Sequence, residues 1–386
     1  MKNLKIKQTL IMAAVIAALA GTALTGCGSD SDSADTEETT EESTAAAEST
    51  EESSADAEET TTTSDDDYVL KIGTDTSSLC LAPLHIAEDL GFFDEEFEAA
   101  GLEYEMVAIN IQNVADLIAS GQIDASVSLA GSVIPMIDSG LDITFTAGLH
   151  TGCTKYYVLE DSGIESVADL KGANIGVPGM SDSSVVALKR KLYSEGISVS
   201  EDNMEVTLTV YTMTDLPLAL ENGAVDAVAL HDPVATTAEE EYDDFLKILD
   251  LSEDEMFSVE YCCSTIITSS IIEEHPESAA AFTRAMMRAA AYIQANPEEA
   301  AQLQIDNEQM TGDADTYAAM LATYNFAPSV SIMEETIVNA YSDLVEIGDM
   351  TSGLDTDTFV SEHFAALDGV PESYTYNEDG TYTEVE

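Results

Sequence analysis

Four cysteines carry the most distinctive chemistry in this sequence, namely Cys80, Cys153, Cys262 and Cys263. In an oxidising compartment thiols pair, so a disulfide is one interpretation of these residues. A bridge between the adjacent Cys262 and Cys263 would be strained. Buried free thiols are the alternative, because cysteine is a common core residue.

A soft-metal site is a third interpretation of the same thiols. His150 lies three positions before Cys153, and His231 follows a predicted strand. Imidazole and thiolate ligands together suit Zn²⁺ and Cu⁺, but these residues lack the standard ligand spacings. We therefore predict no metal, and the disulfide and the free thiols both stay open.

No nucleophile or cofactor motif accompanies these residues. A hydrolase of the elbow type needs Gly-x-Ser-x-Gly, and the segment from Gly179 to Ser183 begins that pattern and then departs from it. Neither a P-loop nor a dinucleotide fingerprint occurs in the sequence. We therefore expect a protein that is not an enzyme and that uses no cofactor.

The charge balance excludes one class of partner. The chain has 12 Lys and Arg residues against 75 Asp and Glu residues, which gives a net charge of −63. A surface this acidic repels phosphate backbones and anionic lipid headgroups. Nucleic-acid binding is therefore excluded on charge alone.

Residues 1–26 have the pattern of a secretory signal peptide. Lys2, Lys5 and Lys7 precede an uncharged apolar run that is too short for an ordinary membrane-spanning helix. A Leu-Thr-Gly-Cys segment follows that looks like a bacterial lipobox, so we expect Cys27 to carry the lipid. The predicted location is extracytoplasmic, with the protein attached to the cell membrane through that lipid alone.

The rest of the chain divides into a tether and a folded part. Residues 27–67 are acidic and rich in Ser and Thr, and after Cys27 they include no aromatic or large aliphatic residue, so they cannot bury enough apolar surface to fold. From Tyr68 onward strands and helices alternate in two series, which predicts parallel sheets flanked by helices. After about Glu260 the pattern is mostly helical. The fold class is therefore α/β with a helical C-terminal part.

The predicted strands can be read from short apolar runs between turn residues. They are 69–73, 102–109, 123–129 and 143–147 in the first series, and 155–159, 174–177, 206–211 and 224–230 in the second. The helical part is clearest at 276–295 and 298–305.

The candidate ligand site follows from a general rule. Open α/β sheets bind ligands beyond the carboxyl ends of their strands, where loops and helix N-termini converge. Helix capping is at least as good a role for Ser132 and Ser183, and a neutral hydrogen-bonded imidazole is the alternative for His231. The candidate residues are Asp75, Ser77, Ser78, Gly131, Ser132, Ser181, Ser183, His231 and Asp232.

The scarcity of bases bears on the charge of the ligand. Arg190, Arg284 and Arg288 all lie in predicted helix bodies, and Lys155 is the one base expected close to the site. We therefore favour a neutral, cationic or heterocyclic small molecule, although a helix N-terminus does not exclude an anion. Tyrosines that could stack on a ring, or simply pack, are Tyr156, Tyr157, Tyr211 and Tyr261.

Five short motifs occur in the order of one known family. They are LKIG at 70–73, AEDLGFF at 87–93, LIASGQIDA at 117–125, SVADLKG at 166–172 and LENGAVDAV at 220–228. With them the chain resembles the bacterial lipoproteins that serve as substrate-binding proteins of ABC importers. The class is the nitrate/sulfonate/taurine class (NitT/TauT, SsuA-like), which also includes thiamine-pyrimidine-binding members.

The resemblance implies a two-lobed periplasmic-binding-protein fold of type II. Lobe 1 would consist of 68–149 and 258–386, and lobe 2 of 150–257. It also implies a monomeric receptor that closes on a small molecule and delivers it to a permease, with the permease and the ATPase as separate chains. Family members carry an aromatic residue where His231 stands, which weakens an inherited stacking role.

In that architecture two crossover segments run side by side. The resemblance would place Cys153 and His150 at the first crossover and Cys262 and Cys263 at the second, so these groups could meet at the hinge. The disulfide that this arrangement implies joins Cys153 to Cys262 or Cys263. Thiamine-pyrimidine synthases resemble the same binding proteins and use a histidine and a cysteine-rich iron motif. Such an enzyme, or a metal-binding protein on this fold, is the alternative. However, the chain has only two of the thiols of that motif and carries an export signal that those intracellular enzymes lack.

Overall fold

The computed structural model describes residues 68–76 and 78–386, apart from the side chains at positions 112 and 201. The predicted signal peptide 1–26, the tether 27–67, the lipidation site Cys27 and the candidate Ser77 lie outside the described residues. Within the described part, no helix is long and apolar enough to cross a membrane.

Strands and helices alternate through the first two thirds of the described chain. The strands are β1 (Val69–Thr74), β2 (Glu103–Ala108), β3 (Ala125–Leu129), β4 (Ile143–Thr151), β5 (Thr154–Leu159), β6 (Asn174–Val177), β7 (Thr207–Val210), β8 (Ala227–His231), β9 (Phe245–Asp250), β10 (Tyr261–Thr268), β11 (Ser373–Tyr376) and β12 (Tyr382–Val385). The α-helices are α1 (Ala82–Asp89), α2 (Phe92–Ala100), α3 (Val114–Ala119), α4 (Ala130–Asp138), α5 (Ser183–Ser194), α6 (Leu216–Glu221), α7 (Val234–Glu241), α8 (Ser269–Glu274), α9 (Pro276–Ala295), α10 (Pro297–Asp306), α11 (Ala314–Thr323), α12 (Ser331–Ile347) and α13 (Thr356–His363).

The strands form two five-stranded sheets and one hairpin. The first sheet has the order β2-β1-β3-β10-β4, and the second has the order β7-β6-β8-β5-β9. The hairpin pairs β11 with β12 near the C-terminus. This is the α/β, two-sheet fold that the sequence predicts.

Both sheets are mixed, whereas the sequence predicts parallel ones. The β1 strand pairs in parallel with β2 and β3, and β6 pairs in parallel with β7 and β8. The exceptions are β10 and β5, which are antiparallel to their neighbours in each sheet. Each of these two strands arrives from the other sheet. It therefore starts at the end of the sheet where the parallel strands finish, and it runs in the opposite direction.

The predicted helical end of the chain also contains strands. The β10 strand lies inside the first sheet, between β3 and β4, and six of its eight residues are buried. Local pattern did not reveal it, because a strand buried on both faces shows no alternation of apolar and polar residues. The hairpin of β11 and β12 packs its tyrosines against Phe92 and Tyr292.

Two segments connect the sheets, and they touch each other. The first is the Gly152-Cys153 turn between β4 and β5, and the second is the stretch 251–260 between β9 and β10. A Cβ atom on Gly152 would lie 2.4 Å from the amide nitrogen of Ser252, so no larger residue fits there. The bounds of the two lobes stay a prediction, although the strands of the two sheets divide at these segments.

The core is continuous across the two sheets. One hydrophobic cluster includes Val133 on α4 and Phe145 in the first sheet, together with Val185 on α5 and Tyr156 in the second sheet. A further cluster packs the alanine-rich α9 onto the first sheet, and Pro276 opens that helix at a position where proline is favoured. Helices therefore bury both sheets and leave their strand ends to face each other.

Candidate functional site

The N-termini of α4 and α5 meet between the two sheets. Gly131 opens α4 after β3, and a Cβ atom placed on it would lie 3.3 Å from the Cβ of Ser183, the first residue of α5. The side chain of Ser183 is buried, and its hydroxyl has no hydrogen-bond partner among the described residues. The two helix ends are therefore in direct contact, which is a closed arrangement of the sheets.

A cavity of about 50 Å³ lies beside this contact. Sites for small organic ligands are usually about 300–1,000 Å³, so this one has room only for a few waters or a single ion. The lining residues come from α4, α5 and α12, from the two connecting segments and from the first residues of β5 and β10: Ala130, Gly131, Gly152, Thr154, Ser183, Val186, Ala187, Arg190, Leu251, Phe257, Glu260, Tyr261, Cys262, Thr336 and Ala340.

Next to the cavity, the four cysteines form one cluster. The sulfur of Cys153 lies 3.4 Å from that of Cys80 and 3.1 Å from that of Cys262. Cys263 and a ring nitrogen of His150 lie within 4.8 Å of the sulfur of Cys80. We call Cys80, His150, Cys153, Cys262 and Cys263 the thiol cluster.

All four cysteines are free thiols in the structure, so the disulfide from Cys153 stays a prediction for the oxidised protein. Hydrogen bonding to Cys153 and Cys263 lowers the pKa of Cys80 and of Cys262. Hydrogen bonding to Cys262 raises the pKa of Cys153, and burial raises that of Cys263. The thiols of Cys80 and Cys262 are therefore more acidic than those of Cys153 and Cys263.

His231 lies between the thiol cluster and α5. Its Nε2 is 2.8 Å from Oδ1 of Asp182, and its Nδ1 is 2.9 Å from the hydroxyl of Thr154. Burial opposes protonation of the imidazole, but the carboxylate of Asp182 outweighs it and raises the pKa of His231 to about 9. The residue is therefore a charged partner of Asp182, and the neutral imidazole that we considered from the sequence is disfavoured.

The other cations near the cavity also have acidic partners. Nζ of Lys155 lies 3.5 Å from Asp232, whose carboxylate also accepts hydrogen bonds from Thr236 and from Tyr324. Arg190 donates two hydrogen bonds to Glu260, of 2.7 and 2.9 Å. Arg190 also donates one of 2.8 Å to Asp343 on α12.

Two of the predicted site residues organise loops. One carboxylate oxygen of Asp75 accepts a hydrogen bond from the amide of Thr76, and the other accepts one from the amide of Ile111. Ser78 caps the short 3-10 helix Leu79–Leu81 by accepting from the amide of Cys80. Their side chains therefore hold the loop after β1 in shape.

The other predicted residues divide into two groups. Gly131 and Ser183 line the cavity, and Lys155, His231 and Asp232 form the ion pairs beside it. Ser132 and Ser181 are not among the cavity-lining residues, and Ser181 is exposed.

Of the tyrosines, Tyr261 lines the cavity, with its ring against Gly148 and its hydroxyl donating to the carbonyl of Ala327. Tyr156 is buried, and its hydroxyl donates to the carbonyl of Ser184 over 2.6 Å. Tyr157 is also buried, and its hydroxyl donates to Glu239. Tyr261 is therefore the tyrosine of these three that a ligand in the cavity would touch.

Sequence reasoning missed Asp182, Glu260 and Cys80 as members of the site. The signal for Cys80 was present, because it belongs to the loop after β1 that also supplies Asp75 and Ser78. Glu260 ends the second connecting segment, and nothing in its local sequence indicates that it would face Arg190, 70 positions away.

The chain is similar in sequence to proteins with different names. It is 24% identical, over 90% of this chain and 91% of the relative, to a protein of Bacillus subtilis (strain 168) that is named for binding aliphatic sulfonates. It is 27% identical, over 60% of this chain and 68% of the relative, to 4-amino-5-hydroxymethyl-2-methylpyrimidine phosphate synthase of Aspergillus parasiticus.

A solved structure shows the same fold. The periplasmic nitrate-binding protein NrtA of Synechocystis PCC 6803 superposes with a TM-score of 0.60 at 14% identity, covering 82% of this chain and 95% of that one. Residues 80–300 match the sequence model of the family described as NMT1/THI5 like, which is more than half of the chain. The chain therefore belongs to the NMT1/THI5-like family and has the periplasmic-binding-protein fold.

Proposed function

We propose that this protein is the solute-binding receptor of an ABC importer. It captures a small molecule between its two sheets by hinge closure and passes it to a permease. The observation that carries this proposal is the contact of Gly131 with Ser183, which brings two helix N-termini from different sheets onto one cavity. The names of the sulfonate- and nitrate-binding relatives support the same function.

The ligand is neutral, cationic or heterocyclic in this proposal. Arg190, Lys155 and His231 each have a carboxylate partner, so an anion would find no uncompensated side-chain cation among them. An anionic ligand such as a sulfonate would depend on the N-termini of α4 and α5. Because the cavity is too small for a ring as it stands, a heterocyclic ligand requires the side chains that line the cavity to rearrange.

The setting of the receptor is also part of the proposal. The signal peptide 1–26 directs export, a lipid on Cys27 anchors the chain outside the cell membrane, and residues 27–67 act as the tether. The receptor works as a monomer with a separate permease and ATPase, and it binds no nucleic acid. It binds its ligand without converting it, although one relative is a pyrimidine phosphate synthase.

A thermal-shift screen of the full chain tests this function. The compounds are sulfonates, nitrate, pyrimidines, flavins, amines and divalent metal ions, each at millimolar concentration. A ligand at a hundred times its dissociation constant adds about 2.7 kcal/mol of stability, which is an easily measured shift. We expect one chemical class to stabilise the protein and to be recovered unchanged.

Two other outcomes would contradict the proposal. No shift with any class at millimolar concentration would argue against a transport receptor and would leave only the fold established. Chromatography of the mixture shows whether a stabilising compound is consumed, and its consumption would favour the synthase-like enzyme instead.

A further inference from the structure

The thiol cluster gathers soft ligands from three separate parts of the chain. Cys80 belongs to the loop between β1 and α1, and His150 and Cys153 lie at the end of β4 and in the first connecting segment. Cys263 lies at the start of β10, where it pairs with His150 across the sheet. Cys80, Cys153 and Cys263 are all more than nine tenths buried.

One ring nitrogen of His150 has no hydrogen bond to another described group and faces the thiol cluster. The side chain is fully buried, and its Nδ1 lies 3.0 Å from the carbonyl oxygen of Thr151. Since a carbonyl can only accept, Nδ1 carries the proton there in the neutral ring, and Nε2 is left with its lone pair. Among the described residues Nε2 has no hydrogen-bond partner.

The surroundings of His150 resemble those of a metal-binding histidine. Such a histidine donates its second ring nitrogen to a carbonyl or carboxylate, which fixes the tautomer and the orientation of the ring. Here the carbonyl of Thr151 has that role. The ring of Tyr324, stacked at 5.1 Å between ring centroids, and the ring of Phe326 at 4.9 Å hold the imidazole in place.

We propose that Cys80, His150 and Cys263 bind one thiophilic metal ion of the Zn²⁺ or Cu⁺ type. Thiolate and imidazole are the ligands that these ions prefer. In a tetrahedral site with metal–sulfur bonds of about 2.3 Å, the sulfurs lie about 3.8 Å apart. The ligand atoms of Cys80, His150 and Cys263 all lie within 4.8 Å of one another, and the sulfur of Cys153 lies beside them, 3.4 Å from that of Cys80.

The ion would hold the hinge. Its ligands come from the loop after β1, from the end of β4, which leads into the first connecting segment, and from the start of β10, which follows the second connecting segment. A bound ion therefore fixes the places where both connections join the first sheet. This arrangement differs from a contiguous cysteine-rich motif, because only Cys262 and Cys263 are adjacent in sequence and Cys262 is not one of the three ligands.

Metal titration of the reduced, metal-free full chain tests the site. The probes are Zn²⁺, in competition with a chromophoric chelator, and Co²⁺, whose thiolate charge-transfer and tetrahedral d–d absorption report the ligand type. We expect one Zn²⁺ per chain and both Co²⁺ absorption features. The Cys263→Ser and His150→Gln variants should each weaken Zn²⁺ binding at least about 100-fold, since even the loss of an outer partner costs about 10–100-fold.

Matched controls separate this site from weak binding by surface carboxylates. Ser264→Ala changes the buried residue next to Cys263, and His363→Gln changes a histidine whose Nδ1 bonds to the carbonyl of Ile143, outside the thiol cluster. Both variants should keep the wild-type affinity for Zn²⁺. Circular dichroism of each metal-free variant checks that it is folded, and the Co²⁺ spectrum of the wild type tests the site without any substitution.

Three results would overturn the metal site. They are absence of a thiolate charge-transfer band with Co²⁺, unchanged Zn²⁺ affinity in folded Cys263→Ser protein, and equal losses in the control variants. The receptor function is tested separately, because an organic ligand found in the thermal-shift screen would support that function even if no metal ion binds.

Discussion

At the scale of single residues, the charged side chains near the cavity stabilise the closed structure by forming ion pairs with one another. His231, the last residue of β8, pairs with Asp182 across a distance of 2.8 Å. Arg190 likewise joins α5 to Glu260 in the second connecting segment and to Asp343 on α12. The first pair connects the second sheet to the start of α5, and the second connects α5 to the elements around it.

Replacing Arg190 by leucine should destabilise the protein by about 3–5 kcal/mol, because Glu260 would be left as a buried, unpaired charge. Glu260 is only 7% exposed, and each of its two carboxylate oxygens accepts a hydrogen bond from the guanidinium of Arg190. The free energy of unfolding in urea measures the effect. The double variant Arg190→Leu/Glu260→Leu should recover most of the lost stability.

A matched surface pair provides the control for Arg190. Nζ of Lys171 lies 2.8 Å from Glu205, but the lysine side chain is 63% exposed. Lys171→Ala should therefore cost less than about 1 kcal/mol. Equal effects of Arg190→Leu and Lys171→Ala would show that the buried pair contributes no more than a surface pair.

At the scale of elements, α4 is held at both of its ends. Its N-terminus meets α5 at Ser183, and its C-terminal residue Asp138 binds the loop before α13. The carboxylate of Asp138 accepts hydrogen bonds from the amides and hydroxyls of Thr351 and Ser352, and from the hydroxyl of Tyr341. The C-terminal helices are thereby fixed to the helix that forms one side of the cavity.

The Asp138→Asn variant should lose about 2 kcal/mol of stability at neutral pH, since hydrogen bonds to a charged group are worth about 1.5–3 kcal/mol. Burial opposes ionisation of Asp138, but the hydrogen bonds from Ser352 and Thr351 outweigh it and lower its pKa. The contribution is therefore full above the unfolded-state pKa of about 3.9 and is lost as the pH falls through the lower folded-state pKa.

Urea unfolding of wild type and variant between pH 3 and pH 7 measures this pH dependence. The difference between the two proteins should be constant from neutral pH down to about pH 5 and should shrink at lower pH. Asp142→Asn is the control. Asp142 is exposed and lies four positions after Asp138, so its substitution should change the free energy of unfolding by no more than about 0.5 kcal/mol. A difference that grows as the pH falls would contradict the prediction.

At the scale of the whole molecule, the two sheets are joined by adjacent segments and closed by a contact of small residues. Gly152 permits the first connecting segment to pass against Ser252 of the second. Gly131 permits α4 to reach Ser183. The first contact lies at the hinge and the second at the closing surface, so they can be changed independently.

Replacing Gly131 by valine should hinder closure without preventing folding. The added atoms would meet the Cβ and backbone of Ser183, and overpacking of this kind costs about 1–3 kcal/mol in the closed form only. We expect the affinity for the ligand found by the thermal-shift screen to fall about 10-fold or more. Small-angle scattering should show a larger radius of gyration in the presence of that ligand than for the wild type.

Gly179→Ala is the matched control for Gly131→Val. Gly179 lies on the loop before α5, and a Cβ atom there would have no neighbour within 4 Å. This variant should bind and close like the wild type. Unchanged affinity in the Gly131→Val protein would mean that the Gly131–Ser183 contact is not part of ligand capture.

The sequence by itself determined the features that depend on local pattern. The strand at Asn174–Val177 and the helix at Pro276–Ala295 appear where their apolar periodicity and turn residues predict them. Their alternation also determined the α/β class, and the rule for strand ends indicated Gly131 and Ser183, which line the cavity. These predictions succeed because a strand, a helix or a turn is decided by neighbours in the chain.

Only the tertiary structure decided which distant residues meet. Cys80 contacts Cys153 across 73 positions, and Arg190 contacts Glu260 across 70 positions, and neither spacing has a local signature. The burial of β10 between β3 and β4 brings Cys263 beside His150. The physical reason is that strand order and sheet closure arise from packing of the whole chain. They bring together side chains whose separation in the sequence gives no sign of the contact.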